Sequence, residues 1–383
     1  MQPNPHLLSA SLAVALVLLG GCAVGPNYLP PKTTAPAQWS APLAGGETNL
    51  EPSIASWWKS FNDPQLDSLV ERAVNSNHDL QIAGARVREA RAFYRIASSQ
   101  LWPTVDAGGS YARENQSKNQ PILGSLPMPS GIPFENNVYQ AGFDASWEID
   151  AFGGNRRAVE AGKAEVAAAE FGRRNVLVTL LGEVARNYVE LRGCQRRLEI
   201  ATNNLKTQEE ALALAEDRFN NGLTSDLDVQ QAATLLANTR AVIPMLESGI
   251  QAYIHRLGVL LGQPPEALLA ELSASAPIPS APPIVPAGLP SELLRRRPDI
   301  QQAERQLAAS TARIGVATAD LFPKFSLTGV AGYESTSASD WFTGGSKFWS
   351  LGPTVQWRIF DAGRIRANIR VQNACQEQAL VAY

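Results

Sequence analysis

Catalysis or metal binding in this chain would have to be built from three histidines, three cysteines and the carboxylates. The histidines are His6, His78 and His255, and no HExxH pair, phosphate-binding glycine loop or Ser/His/Asp arrangement accompanies them. His78 and His255 therefore read as ordinary polar helix residues; no enzyme, no metal site and no cofactor is expected. Cys194 and Cys375 fall one in each half of the chain without metal-ligand spacing. They read as free helix cysteines, with a disulfide between them as the alternative. Cys22 stands apart, directly behind the nearly apolar run Leu7–Leu19 and Gly20-Gly21.

Thirteen residues of helix cover about 20 Å, short of a hydrocarbon core of about 30 Å. Residues 1–21 therefore read as a secretory signal, although Lys and Arg are missing from its start. Leu19-Gly20-Gly21-Cys22 resembles a bacterial lipobox, which implies cleavage before Cys22 and acylation of its thiol and new amine. Ala23, rather than Asp, after the cysteine implies sorting to the outer membrane. Charged residues make up 18% of the chain and the net charge is −3. With no aromatic-basic cluster, nucleic acid is excluded as a partner.

The remaining elements follow from periodicity. Residues 22–62 form an extended tether, rich in Pro, Ala, Gly and Thr over 25–50. A helical pattern runs from Asp63 to Leu101 and stops at Trp102-Pro103. A strand is expected over about 104–113, a polar Pro/Gly-rich loop over about 115–136, and a second strand over 138–150. In that second strand Tyr139, Ala141, Phe143, Ala145, Trp147 and Ile149 take one face. Gln140, Asp144, Ser146, Glu148 and Asp150 take the other. A helix over about 155–218 carries Leu177, Val184, Leu191, Leu198, Leu205, Leu212 and Phe219 at a spacing of seven, and would span about 90 Å. The rhythm resumes at Val229, Leu236, Ile243, Ile250 and Leu257 in a helix over about 226–261, with a kink expected at Pro244. A Pro-rich linker occupies 266–290.

The chain then repeats itself over 291–383. Ala92, Ala97, Leu101 and Pro103 match Ala312, Ala317, Leu321 and Pro323 at an offset of 220. Trp147, Ile149, Gly153 and Arg156 match Trp357, Ile359, Gly363 and Arg366 at an offset of 210, so the second loop is shorter. Strands are expected over 324–333 and 348–360, the latter with Trp349, Leu351, Val355 and Trp357 on one face. The second copy stops within a helical pattern at Tyr383. By analogy with the first copy, a truncation of about eighty to a hundred residues is expected.

The fold class is thus mainly α with membrane β, in two repeats of helix, strand, strand and long helices. Strands with one apolar and one polar face suit a transmembrane barrel, with Tyr139, Phe143, Trp147, Trp349 and Trp357 facing lipid. A soluble, half-buried sheet is the competing reading. Four strands cannot close a barrel, because bacterial barrels begin at eight and open edges do not survive in lipid. Several copies must contribute; two would supply eight strands and three would supply twelve, and pattern alone does not choose. The long helices carry Arg173, Arg174, Arg196, Arg197, Lys206, Glu209 and Glu210 and belong in water.

Between those helices lies Arg218-Phe-Asn-Asn-Gly-Leu-Thr-Ser-Asp-Leu-Asp-Val229, a helical hairpin turn. Gly222 suits the left-handed C′ position, Ser225 the next N-cap and Asp228 the N3 position near the positive end of the dipole. Together with Cys22-Ala-Val-Gly-Pro-Asn-Tyr28, Trp57-Trp58…Phe61-Asn-Asp63 and Gly288-Leu-Pro-Ser-Glu-Leu-Leu-Arg-Arg-Arg-Pro-Asp-Ile300, this segment resembles the outer-membrane efflux protein family, in its TolC-like, NodT-type lipoprotein branch. The resemblance implies a homotrimer with a twelve-stranded barrel and a periplasmic helical barrel. It also implies docking to a periplasmic adaptor protein and an inner-membrane pump of the resistance-nodulation-division type. Gly222, Leu223 and Thr224 would occupy the docking tip. Asp228 would help hold a periplasmic gate shut against helices beyond Tyr383, so a chain ending there is not expected to assemble the gate; a capping role alone is the other reading. Arg295-Arg296-Arg297 reads as a helix-start segment rather than an anion site. The expected function is a passive exit duct for drugs or other small toxic solutes. A type I secretion exit for polypeptides and a lipid-anchored scaffold without a lumen are the alternatives.

Overall fold

The alternating segments become strands and the periodic segments become helices in the structure, a computed structural model that describes residues 23–31, 47–48, 54–115, 117, 135–280, 285–286 and 290–383. The leader, Cys22, much of the tether, most of the loop over 115–136 and part of the second linker lie outside the described residues. The chain divides into two units: Met1–Pro31, Arg88–Ala168 and Ala303–Tyr383 form one, and Lys32–Val87 and Ala169–Gln302 form the other.

The first unit contains a four-stranded antiparallel sheet of β1 (Thr104–Asn115), β2 (Glu135–Ile149), β3 (Lys324–Ser335) and β4 (Lys347–Gln356), in that spatial order. Register keeps the two faces separate across all four strands. Ala107, Phe143, Ala331 and Trp349 lie in one row, and Val105, Ala145, Gly329 and Leu351 in the next row of the same face. Between them, on the opposite face, run Asp106, Asp144, Val330 and Ser350. A row of glycines, Gly108, Gly142 and Gly332, crosses three strands. A Cβ on Gly332 would sit 2.4 Å from the Ala141 carbonyl oxygen, so a side chain there would force the strands apart.

Three strands run slightly longer than expected at their loop ends, and β4 stops at Gln356 rather than at 360. Trp357 therefore lies one residue beyond the strand. Its indole Nε1 donates to the Leu321 carbonyl at 3.1 Å. Trp147 Nε1 donates to the Leu101 carbonyl at 3.0 Å. These partners are the ones related by the two repeat offsets, so each copy ties its strand end to its preceding helix end by the same hydrogen bond.

The second unit contains α1 (Pro64–Ser76), and α2 (His78–Ser99) begins in it. The continuous helix expected from Asp63 to Leu101 is broken at Asn77. Buried Asn77 accepts from Leu80 N–H at 2.9 Å and donates to the Leu260 carbonyl at 2.9 Å. A polar side chain thereby satisfies one helix start and another helix end. At the start of α1, Asp63 Oδ1 accepts from Gln65 and Leu66 N–H, and its Oδ2 accepts from the Tyr188 hydroxyl at 2.9 Å. The tether is not extended throughout either, since Ile54–Phe61 forms 3-10 turns with Trp57 edge-on to Trp58 and Phe61. Glu47–Thr48 pairs in parallel with Val285–Pro286.

The long helices are α3 (Gly154–Asn220) and α4 (Asp226–Leu260), the latter continuous through Pro244. The core of the second unit joins Leu66, Leu69 and Val70 to Val184, Tyr188, Leu191, Ile254 and Leu257. The seven-residue seam of α3 is fully buried at Val184 and Leu191, half-buried at Leu198, Leu205 and Leu212, and 43% exposed at Phe219. Toward the hairpin an apolar coiled-coil seam is thus left only partly covered by this chain. Further along are α5 (Pro290–Arg296), α6 (Pro298–Ala319) and α7 (Arg364–Ala382). Arg297 lies between α5 and α6 and pairs with Asp299, Nε to Oδ1 at 3.1 Å, which holds the Asp299 carboxyl below its ordinary range. In the first unit, α6 buries Leu307, Ala309, Ala312 and Ala317. Cys194 and Cys375 are both free thiols, the first buried and the second exposed.

Candidate channel wall, anchor strap and helical tip

The wall is the sheet. On its polar face Asp106 and Asp144 stand directly opposite each other on β1 and β2, an arrangement in which like charges repel. They border a shallow cavity of about 350 Å³ that also meets Ser146, Thr328 and Ser350. Like charges tolerate such opposition where both are hydrated, as on a face turned to water. The other face exposes Val105, Phe143, Trp349, Leu351 and Val355, each at 59–79%. Among the described residues no sheet or helix covers that face, which fits an apolar surrounding rather than water. Among the described residues, no helix is long and apolar enough to cross a membrane, and no cluster of three potential metal ligands occurs.

The anchor strap begins one residue after Cys22. Val24 N–H donates to the Phe152 carbonyl at 3.0 Å. The guanidinium of Arg157 on α3, only 4% exposed, donates to Val24 O at 3.1 Å, Gly25 O at 3.3 Å and Asn27 Oδ1 at 2.7 Å. It also pairs with Glu160 at 2.8 Å. Gly25 has φ +88°, and a Cβ on it would lie 2.4 Å from Gly315 Cα; only glycine meets both conditions. Tyr28 closes the strap, its hydroxyl donating to Glu304 at 3.1 Å and its ring lying under Arg305 at 5.6 Å. Burial first, and the Glu304 carboxylate second, push the Tyr28 phenol up to about 12. The tether is therefore anchored to the first unit over 23–31. Arg157 gives no sign of this in the sequence, where it is one arginine of an Arg-Arg pair near a helix start.

At the tip, Gly222 has φ +73°. Its N–H donates to Phe219 O at 2.8 Å and Leu223 N–H donates to Arg218 O at 2.8 Å, the two bonds of a Schellman motif. Leu223 is 72% exposed and Leu227 63% exposed. Asp228 Oδ2 accepts from the Thr224 hydroxyl, from Ser225 N–H at 3.2 Å and from the Ser225 hydroxyl at 3.1 Å. These bonds, the one from Thr224 foremost, hold its carboxyl below the ordinary range. The capping role expected of Asp228 is thus seen directly, carried by its carboxylate reaching back to the N-cap.

Residues 69–263 and 289–383 match the outer membrane efflux protein family. The chain is 36% identical over 374 residues to the pyoverdine export outer membrane protein OpmQ of Pseudomonas aeruginosa, covering 97% of this chain and 77% of that protein. It is 33% identical over 367 residues to nodulation protein T of Rhizobium leguminosarum bv. trifolii, covering 96% and 75% respectively. Among solved structures, the outer-membrane channel OprN superposes with a TM-score of 0.87 at 38% identity, covering 94% of this chain and 79% of that one. The Campylobacter jejuni CmeC outer membrane channel superposes at 0.83 with 25% identity, covering 94% and 75%.

Proposed function

We infer the role of this chain from one premise: it belongs to the outer membrane efflux protein family. It is an outer-membrane efflux channel protein, located in the outer membrane with a periplasmic helical extension. We propose that three copies assemble, each supplying four strands to a twelve-stranded barrel. The observation that carries this reading is the register of β1–β4, which keeps apolar and polar faces apart while, among the described residues, β1 and β4 are each paired on one side only. Unpaired strand edges in lipid require closure by sister copies. The polar face then lines water and Phe143, Trp349 and their neighbours meet acyl chains, with Tyr139 and Trp147 toward the two ends of β2.

The solutes carried are small and toxic, drugs among them, and the duct does no covalent chemistry on them. Efflux, rather than polypeptide secretion, is favoured by the names of several relatives, including the solvent efflux pump outer membrane protein SrpC of Pseudomonas putida. The partners are a periplasmic adaptor, met by the tip Gly222-Leu223-Thr224, and an inner-membrane pump of the resistance-nodulation-division type. Exposed Leu223 at a rigid turn supplies the apolar contact. Asp228, besides capping, contributes polar contacts that keep the periplasmic end shut. Cys22 carries acyl chains, and the strap from Val24 to Tyr28 holds that anchor to the first unit.

Single-channel recording in planar bilayers tests the duct. A stable conductance from the full-length protein is expected, and a folded, membrane-inserted protein that passes no current would refute it. Cross-linking from Leu223→Cys to a co-expressed periplasmic adaptor tests the tip; labelling of the adaptor only from positions far from the turn would reassign the docking surface. For the gate, Asp228→Asn should raise the open probability, and an unchanged record would leave Asp228 with its capping role alone.

A further inference from the structure

The apolar face of the sheet is not uniform. Beside the turn between β3 and β4 it holds a groove of about 590 Å³, within the range of about 300–1,000 Å³ common for small-molecule sites. Its floor is Ala107, Ala141 and Ala331, and its walls are Phe143, Phe342 and Trp349. The small floor and tall walls follow from register, because Ala107, Phe143, Ala331 and Trp349 share one row. The turn between β3 and β4 folds back to build the rest. Phe342 packs edge-on to Tyr333 at 5.5 Å, and Trp341 stacks on Phe342 at 4.6 Å and lies 5.5 Å from Tyr139.

Two cations of the described strands lie on this face: Arg113, which pairs with Glu135 at 2.9 Å, and Lys347. Lys347 pairs with Tyr333 in the register, so it lies on the same face, one row nearer the loops than Trp349. It is exposed, and no carboxylate among the described residues pairs with it. A lysine on a lipid-facing surface costs about 2–4 kcal/mol at the midplane and about 0–1 near the interface. The first residue of β4, beside the aromatic turn, is at the interface end of the strand, where an ammonium meets lipid head groups.

An apolar trough of chain width, capped at the head-group end by an unpaired ammonium, has the chemistry of an anionic lipid. We propose that this groove holds an acyl chain of a phosphate-bearing lipid of the outer leaflet, with the lipid phosphate on Lys347. The assignment rests on the reading that this face of the sheet meets lipid. The aromatic walls give the chain a fixed path, and the phosphate neutralises the ammonium that no described carboxylate meets.

The test titrates the purified full-length protein in detergent with phosphatidic acid and counts adducts by native mass spectrometry. Diacylglycerol, which lacks the phosphate, and inorganic phosphate, which lacks the chain, are the parallel arms. Saturable phosphatidic acid adducts are expected, weakened about tenfold by Lys347→Gln, the scale of a lost charge-assisted hydrogen bond, and absent in Ala331→Phe, which fills the floor. Diacylglycerol and phosphate should give at most weak adducts. Equal binding by Lys347→Gln and the unaltered protein, or diacylglycerol binding as tightly as phosphatidic acid, overturns the assignment. Single-channel conductance of Lys347→Gln should match the unaltered protein. If both conduct normally and the adducts are unaffected, the groove assignment alone fails; if neither conducts, the barrel reading fails and takes the groove with it.

Discussion

The buried guanidinium of Arg157 donates to Asn27 Oδ1 at 2.7 Å across a separation of 130 residues, and the same group holds the carbonyls of Val24 and Gly25. A planar fork of donors reads three oxygens of an otherwise irregular segment. Removing it leaves those acceptors without their donor. Arg157→Ala is expected to cost about 1–3 kcal/mol and to expose residues 23–31 to protease while the sheet stays protected. Lysine, a point donor, should not rescue it. Equal protection of the segment in the alanine variant would contradict this account.

The strap also carries a pH dependence. The Tyr28 phenol is raised from 10.0 to about 12 by burial and by Glu304. A group whose folded pKa is raised stabilises fully below its unfolded value, so the contribution is intact below pH 10 and is lost as pH rises through about 12. Protease sensitivity of the N-terminal segment should therefore rise between these values. Tyr28→Phe should remove the step in that window, and a step of the same size in the variant would assign it to another group.

Adjacent residues on β2 should behave oppositely because they face opposite ways. With the proposed lipid-facing placement, Phe143→Arg is expected to cost about 2–4 kcal/mol near the bilayer midplane, read as a lower melting temperature of the assembled protein. Asp144→Asn removes half of an opposed carboxylate pair and should leave stability unchanged or improved. Its effect should appear instead as a lower cation preference in reversal-potential measurements. A large stability loss from Asp144→Asn, with none from Phe143→Arg, would mean the faces are reversed.

Gly222 is a conformational requirement rather than a packing one. A Cβ there meets nothing within 4 Å, yet φ is +73°. Gly222→Val should destabilise the hairpin by about 1–2 kcal/mol, measured as faster amide exchange at residues 218–228. Gly222→Asn should cost less, because asparagine tolerates the left-handed region. Equal effects of the two substitutions would show that backbone conformation is not what selects glycine.

Much of the sheet was legible because strand faces alternate with a period of two, a local property that survives without knowledge of neighbours. Tyr139 through Ile149 separated correctly, and the offsets of 220 and 210 anticipated that Trp147 and Trp357 occupy equivalent places. The end of β4 was not legible. Apolar alternation continues through Ile359, while the partner strand β3 begins at Lys324 opposite Gln356 and leaves nothing to pair with beyond it. The break at Asn77 was missed for a related reason. A single asparagine inside a helical pattern gains its meaning only from the Leu260 carbonyl it reaches.

Local pattern, then, determined the repeat, the two-faced strands, the long heptad helices and the glycine turn between them, since each depends on residues within a few positions of one another. Tertiary structure alone decided that Arg157 fastens the tether, that Asp106 opposes Asp144, and that Lys347 borders an alanine-floored groove. Those relationships join residues as far apart as Arg157 and Asn27, 130 positions, or Lys347 and Ala107 in one groove. No periodicity encodes them, because they arise only when strand register and helix packing bring distant backbone into contact.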